Sequence, residues 1–275
     1  MTAPSPRTPS KATKVTRIDR DSDSTVQSLT RAMQLLELLA EDDEGYRLVD
    51  IAARSGLSSS TAHRLLTTLE QRQFVQFDRE TNLWYVGVRC FSVGSAFARR
   101  RRIAHLALPV MRRLRDTTGE SINLGIADLG DIVFVTQVES RETMRAIGKP
   151  GFRAPLHCTA MGQSILAAMT EEDVLQYLRT YGLPKLTNNT IARASRLHET
   201  LGEVRRAGHA IDDEQNAVGL RCIAAAVRDE HGRPFGAVSL VGPTQRIKSS
   251  DFGPLGTLVR GAADEITAAY GGRMG

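Results

Sequence analysis

Residues 58–71 read SSSTAHRLLTTLEQ, and this stretch decides the fold of the N-terminal third of the chain. Its apolar side chains recur three and four residues apart, which is the spacing of one buried stripe on a helix. They are Ala62, Leu65, Leu66 and Leu69. The side chains that point the opposite way are short hydroxyls, one amide and one arginine. They are Ser60, Arg64, Thr67 and Gln71. The stretch therefore predicts an amphipathic helix whose outer face carries no carboxylate near its start.

This outer face has the chemistry of a helix that enters the major groove of DNA. Arginine binds guanine or phosphate, glutamine binds adenine, and serine and threonine donate to phosphates near the positive start of the helix. An ordinary solvated helix would more often carry Glu and Lys here. We therefore interpret residues 58–71 as a recognition helix, with Thr61 and His63 on its flanks.

The residues before this helix predict two further helices. The first starts near Leu29, with Ser28 as its N-cap. Its apolar positions are Leu29, Met33, Leu36 and Leu39. A β-like run at residues 47–49 follows, and then a short helix over residues 50–55 that Gly56 ends.

The residues after the recognition helix predict a β-hairpin. Two strand-like runs, 74–77 and 83–86, are joined by a turn-like connection. Arg79 lies at the tip of this wing. It either contacts the backbone or the minor groove of DNA, or it is an ordinary turn residue without a role in binding. Together these elements predict a winged helix-turn-helix DNA-binding domain over residues 25–87.

Basic residues concentrate in the N-terminal third. Residues 1–103 hold 16 Lys and Arg against 12 Asp and Glu, whereas residues 104–275 hold 20 against 19. Residues 1–24 are predicted to be a disordered basic tail, either a solubilising extension or an arm that lies near phosphates. Residues 88–103 include a run of four arginines at 99–102 and predict a linker helix. The charge asymmetry indicates where a nucleic acid would bind.

Composition and motifs exclude several classes of protein. The chain has 275 residues, 41% hydrophobic and 24% charged, which is typical of about two globular domains. No apolar run approaches a membrane span and no signal sequence precedes the first helix, so we expect a cytoplasmic protein without membrane contact. The three cysteines are widely spaced, and no nucleophile elbow or phosphate loop is present in the sequence. We therefore expect no enzymatic activity, no cofactor and no metal.

Several segments resemble the IclR family of bacterial one-component transcriptional regulators. They are residues 26–32, 56–58, 60–66, 74–75, 155–162, 208–214, 219–225 and 242–243. The segments GHAIDDE at 208–214 and GLRCIAA at 219–225 are the most specific, because a winged helix alone occurs in many families. Residues 265–272 are most similar to the acetate-operon, or glyoxylate-bypass, branch of the family.

The resemblance implies an α+β fold with an N-terminal winged helix-turn-helix. It also implies a GAF-like effector and oligomerisation domain over residues 104–275, with a curved antiparallel sheet flanked by helices. It further implies a homodimer or a dimer of dimers on a double-stranded operator. The positions that match DNA contacts of the family are Ser28, Ser59, Ser60, Thr61, His63 and Arg64. The outward face of the helix adds Thr67, and the wing adds Arg79.

A pocket for a small acid is predicted in the C-terminal part. Thr159 is a good N-cap for a helix over residues 159–169, and free amides at a helix start favour a carboxylate. Strand-like runs around Cys222 and Ser239 carry small side chains on one face, which leaves space for a ligand; alternatively, Cys222 is a small buried hydrophobe and Ser239 bonds to backbone. The resemblance implies an effector site made of Ile147, Ala160, Met161, Asp212, Cys222 and Ser239.

The pocket departs from the acetate-operon branch at two places. That branch has smaller residues than Ala160 and Met161, and a second serine where this chain has Val241. An aromatic or longer acid, or a neutral derivative of one, therefore fits as well as glyoxylate. We expect a ligand-responsive DNA-binding regulator that represses a small-acid catabolic operon. The alternatives are an activator of aromatic-acid catabolism and a ligand-sensing protein-interaction module with a degenerate DNA-binding domain.

Overall fold

The computed structural model describes residues 26–100, 102–140 and 148–274, which fall into two compact units divided between Phe97 and Ala98. The predicted tail of residues 1–24 lies outside the described residues, as does Ile147. None of the described helices combines the length and apolarity needed to cross a membrane.

The N-terminal unit contains three helices followed by a two-stranded wing. Its elements are α1 (Gln27–Leu39), α2 (Leu48–Ser55), α3 (Ser59–Gln71), β1 (Val75–Asp78) and β2 (Leu83–Val86), with α4 (Val88–Arg100) after the wing. Strands β1 and β2 pair antiparallel. The core residues come from all three helices and both strands; among them are Leu35, Ile51, Leu66, Val75 and Trp84. The order of elements is that of the predicted winged helix-turn-helix.

Two local predictions in this unit are wrong. The β-like run at residues 47–49 is not a strand, because Leu48 begins α2 and packs with Ile51 at helical spacing. Ser28 is not an N-cap, because α1 begins at Gln27, and the carbonyl of Val26 accepts from the backbone of the first turn.

The buried face of α1 is also rotated from the predicted one. Leu29 and Met33 are 57% and 45% exposed, while the core takes Leu35, Leu38 and Leu39. The core is built from the later turns of α1, so the face that carries Leu29 and Met33 in the first two turns lies outside it.

The C-terminal unit is a six-stranded antiparallel sheet covered by helices, which confirms the predicted α+β class. The strands lie in the order β5-β4-β3-β8-β7-β6. They are β3 (Ser121–Asp128), β4 (Asp131–Val138), β5 (Arg153–Pro155), β6 (Ala210–Asp213), β7 (Leu220–Arg228) and β8 (Pro234–Pro243). The helices are α5 (Ile103–Thr118), α6 (Ala160–Ala168), α7 (Glu171–Tyr181), α8 (Ala194–Ala207) and α9 (Phe252–Tyr270).

The two faces of this sheet differ in side-chain size. One face carries large aliphatics, such as Ile122, Leu124 and Leu240, and packs on α5 and α9. The other face meets α6 and carries small side chains, such as Ala210, Ala224 and Ala237. We call the second face the small-residue face. Since small side chains leave room above a sheet, this face is where a ligand can lie.

Candidate functional site

Helix α3 presents its polar face because its cap and its buried stripe fix the orientation. The hydroxyl of Ser58 accepts from the backbone N–H of Thr61 at 3.3 Å and lies 2.9 Å from the Thr61 hydroxyl. Ala62 and Leu66 are fully buried, so His63 and Arg64 are exposed. The first turn contains no acidic residue, which leaves the partial positive charge of the helix start open to an anion.

A groove of about 470 Å³ runs beside this face. It is lined by Ser28, Arg31, Thr61, His63, Arg64, Leu65, Thr67 and Thr68. Five predicted residues therefore line one groove, although Ser28 comes from α1 and the other four from α3. Ser59 and Ser60 are exposed at the start of α3.

Two groove residues were missed by the sequence reasoning. Arg31 lies on α1, three residues after Ser28, so it falls on the same face of that helix. That spacing was a usable signal once Ser28 had been chosen. Thr68 donates its hydroxyl to the carbonyl of Arg64 at 2.9 Å, which ties it to its own helix.

His63 has a structural partner as well as an exposed edge. Its ring lies edge-on to Trp84, with centroids 6.4 Å apart. Trp84 is buried and packs against Phe77 at 4.7 Å. His63 on α3 therefore contacts the wing. This packing explains a histidine at this position even without a contact to DNA.

The tip of the wing is built around Asp78. Its carboxylate accepts from the backbone of Glu80 at 2.9 Å and from the hydroxyl of Thr81 at 2.8 Å, and these bonds lower the pKa of Asp78. Arg79 is exposed at this tip. The hydrogen bonds of Asp78 are those of an ordinary turn, so a DNA contact by Arg79 stays a prediction.

The start of α6 is capped as predicted. The hydroxyl of Thr159 accepts from the backbone N–H of Gly162 at 3.1 Å. A Cβ atom at Gly162 would lie 2.1 Å from the carbonyl oxygen of Leu156. Gly162 is therefore required by the close approach of the chain at Leu156, and its presence needs no ligand. The amides of Ala160 and Met161 precede it at the helix start, where orphan donors are expected.

The sheet brings three predicted effector residues together on the small-residue face. Asp212 pairs with Cys222 across β6 and β7, and Cys222 pairs with Val241 on β8. Ser239 lies two residues from Val241 and so shares its face. Ala160 and Met161 of α6 are buried in the cluster against which Cys222 packs.

Asp212 is a buried carboxyl group with an altered pKa. It is 3% exposed, and its Oδ1 accepts from the backbone N–H of Gln215 at 2.7 Å and of Asn216 at 3.3 Å. Burial raises its pKa to about 7, although the two hydrogen bonds oppose the shift. This carboxyl therefore keeps its proton to a much higher pH than an exposed aspartic acid does, and in its protonated form it can donate a hydrogen bond to an anion.

Two amides on the small-residue face were missed by the sequence reasoning. Asn123 is 1% exposed and pairs in register with Ser239 on one side and Gln137 on the other. Asn123 Oδ1 and Gln137 Nε2 are buried without a hydrogen-bond partner among the described residues. Each buried polar group without a partner lowers the stability of the folded state by about 1–3 kcal/mol. The signal was available, because Ser121, Asn123 and Gly125 alternate with large aliphatics along β3.

His157 and Cys158 lie in a turn just before α6. Residues Leu156–Cys158 form a 3-10 turn, because α6 follows at once and the chain must bend into it. The His157 ring lies 3.0 Å from the carbonyl oxygen of Pro184 and 3.4 Å from the hydroxyl of Tyr177. Burial raises the pKa of the Cys158 thiol, as it does for Cys222. The imidazole thus holds a loop, and the thiols are poor nucleophiles.

Two family descriptions match the chain. Residues 28–79 match the IclR helix-turn-helix domain, and residues 95–268 match the C-terminal domain of the bacterial transcriptional regulator IclR.

Individual proteins match over nearly the same length. The transcriptional repressor IclR of Escherichia coli (strain K12) is 39% identical over 249 residues, which cover 90% of this chain and 91% of that protein. The crystal structure of the Thermotoga maritima IclR has a TM-score of 0.73 and 26% identity, over 89% of this chain and 98% of that one. An IclR homologue from Microbacterium hydrocarbonoxydans in complex with 4-hydroxybenzoate has a TM-score of 0.76 and 24% identity, over 88% and 98%.

Proposed function

The chain belongs to the IclR family of transcriptional regulators, and from this membership we propose that it represses transcription by binding operator DNA through the α3 groove. We further propose that a small organic acid on the small-residue face controls this binding. The observation that carries the proposal is the groove itself, where α1 and α3 place two arginines among hydroxyl groups and no carboxylate.

The groove suits both parts of DNA recognition. Arg64 on α3 lines the groove, and in the proposed complex it would reach a base edge, where an arginine can bond to guanine with two donors. Ser28 and Arg31 on α1 flank it and suit the phosphate backbone, as do Ser59, Ser60 and Thr61 at the positive end of α3. His63, Thr67 and Arg79 complete the proposed contacts.

The effector proposal depends on the placement of Asp212, Cys222 and Ser239 near α6. An acid would lie against the start of α6, with Ala160 and Met161 at its side and Ile147 as a further wall. The homologue in complex with 4-hydroxybenzoate supports an aromatic acid as one class of ligand. The ligand must bind one arrangement of the protein more tightly than the other, since equal affinity would shift nothing.

The rest of the proposal follows from this function. An operator with two half-sites is read by two recognition helices, so we propose a homodimer or a dimer of dimers. A repressor must reach the chromosome, so we propose a cytoplasmic location. The poorly nucleophilic thiols favour a regulator without catalytic activity.

The proposal is tested by fluorescence anisotropy of the full chain on the DNA upstream of its own gene. Binding should be far tighter than to random DNA, should weaken with salt, and should respond to one acid of a panel that includes glyoxylate, pyruvate and hydroxybenzoates. Binding no tighter than to random DNA across genome-selected fragments, with no response to any acid, would favour the ligand-sensing interaction module instead.

Arg31→Ala should weaken binding to operator and to random DNA alike. If Arg31 contacts a phosphate, the plot of log affinity against log salt should lose about one unit of slope. Arg47→Ala is the matched control, because Arg47 is an exposed arginine of the same unit that does not line the groove. An unchanged salt slope in Arg31→Ala would remove Arg31 from the contact surface.

A further inference from the structure

The small-residue face carries a row of polar side chains that extends past the residues proposed above to hold the acid. Residues Gln137, Asn123, Ser239 and Ala224 lie side by side on β4, β3, β8 and β7. Adjacent positions in such a row are about 4.5–5.5 Å apart. Asn123 is therefore an immediate neighbour of Ser239, and Gln137 is the next neighbour beyond it.

Helix α6 reaches the same part of the sheet. A Cβ atom at Gly125 would lie 3.2 Å from the sulfur of Met161. Gly125 is two residues from Asn123 on the same face of β3. Met161, in the first turn of α6 where the acid group is proposed to bind, therefore lies over the sheet beside Gly125, two residues along β3 from Asn123.

The two amides present complementary free groups. Asn123 Oδ1 is an acceptor, Gln137 Nε2 is a donor, and neither atom has a partner among the described residues. The side chains are register partners, yet these two atoms do not bond to each other. An unionised group that both donates and accepts, such as a hydroxyl or a carboxamide, satisfies both atoms at once. A methyl group satisfies neither, and a carboxylate has no proton to donate.

We propose that Asn123 and Gln137 form the far end of the effector pocket and select acids that carry a second, uncharged polar group, a hydroxyl or a carboxamide. The inference rests on the proposed function, because it assumes that the small-residue face holds an acid. It adds the chemical class of that acid and two residues that determine it. In the bound state the hydroxyl donates to Asn123 Oδ1 and accepts from Gln137 Nε2.

The test compares matched pairs of acids that differ only in hydroxyl against methyl. The probes are 4-hydroxybenzoate with 4-methylbenzoate, and 4-hydroxybutyrate with pentanoate, each titrated calorimetrically into the full-length protein without DNA. In the wild type, the hydroxylated member of at least one pair should bind at least about tenfold more tightly. Absence of binding by both hydroxylated acids at millimolar concentration, or equal binding within both pairs, overturns the inference.

The variant Asn123→Leu with Gln137→Met keeps the side-chain volumes and removes the two free polar atoms. It should lose the preference for the hydroxylated acid and still bind the methyl member of the pair. Its melting temperature should equal or exceed that of the wild type, because two unpaired buried groups are gone. The single variants serve in its place if the double variant does not fold.

The control is Asn188→Leu, an exposed asparagine outside the sheet, which should keep the wild-type preference. A double variant that keeps the preference also overturns the inference. Operator binding is measured separately for every variant. If the wild type does not bind the operator specifically, the proposed function is contradicted. If the wild type binds the operator but shows no preference for the hydroxylated acid, only this inference is contradicted.

Discussion

Arg64→Ala should weaken binding to the operator by roughly 1–3 kcal/mol while binding to random DNA changes much less. Arg64 is exposed and lines the α3 groove together with Thr61 and Thr67. An arginine that bonds to a base edge distinguishes that base from the others, so its loss removes specificity as well as affinity. Fluorescence anisotropy on operator and random duplexes at the same salt concentration measures both.

The control for this prediction is Arg72→Ala. Arg72 is an exposed arginine just after the last residue of α3, and it does not line the groove. Its replacement removes the same charge from the same unit, and the ratio of operator to random binding should stay at the wild-type value. If Arg64→Ala keeps that ratio too, Arg64 does not read a base.

Effector affinity should fall as the pH rises through about 7, by up to about tenfold per pH unit above it. Burial raises the pKa of Asp212 to about 7. Below that pH the carboxyl is protonated and can donate a hydrogen bond to a carboxylate ligand. Once ionised, it repels the same ligand. The measurement is the acid concentration that halves operator binding at pH 6, 7, 8 and 8.5. Asp212→Ala should abolish the response to the acid and leave DNA affinity intact.

Asp212→Asn is the variant that isolates the proton. An asparagine oxygen can still accept from the backbone of Gln215 and Asn216, so the loop geometry is kept. The titratable groups whose charge acts on Asp212 or feels it are its strand neighbour Asp213 and the thiols of Cys158 and Cys222. Burial raises the pKa of both thiols, so they stay protonated in this range, and the Asp213 carboxylate is held by Arg221 at 2.7 Å. A pH slope that persists in Asp212→Asn would show that another group titrates.

The stability of the free protein gives a second readout of the same group. Because the native pKa lies above the unfolded value near 3.8, the native state holds its proton longer than the unfolded state does. Stability should therefore fall as the pH rises from about 4 to about 7 and level off above it, by an amount on the order of 4 kcal/mol. Asp212→Asn should melt at a higher temperature than the wild type at pH 8 and lose this part of the pH dependence.

The sequence by itself determined the DNA-binding half to a large extent. The buried stripe of α3, its cap region and the hairpin after it are local patterns, and local patterns specify which face of a helix points outward. The specific segments at 208–214 and 219–225 likewise indicated the family, which the comparisons confirm. Errors arose where local signals conflict, as at residues 47–49, where Arg47 is the N-cap of α2 and Leu48 and Val49 lie in its first turn.

Only the tertiary structure decided which distant residues meet. Ser28 and Arg31 line the α3 groove because α1 packs beside α3. Their spacing puts them on one face of α1, but it does not show which helix that face meets. Asn123 stands beside Ser239 because β3 pairs with β8, more than a hundred residues later in the chain. Strand register over such distances is set by core packing, so a single sequence carries no local signal for it. The raised pKa of Asp212 has the same origin, because it results from burial between the assembled sheet and helix α6. The sequence shows only that a carboxyl group stands at position 212.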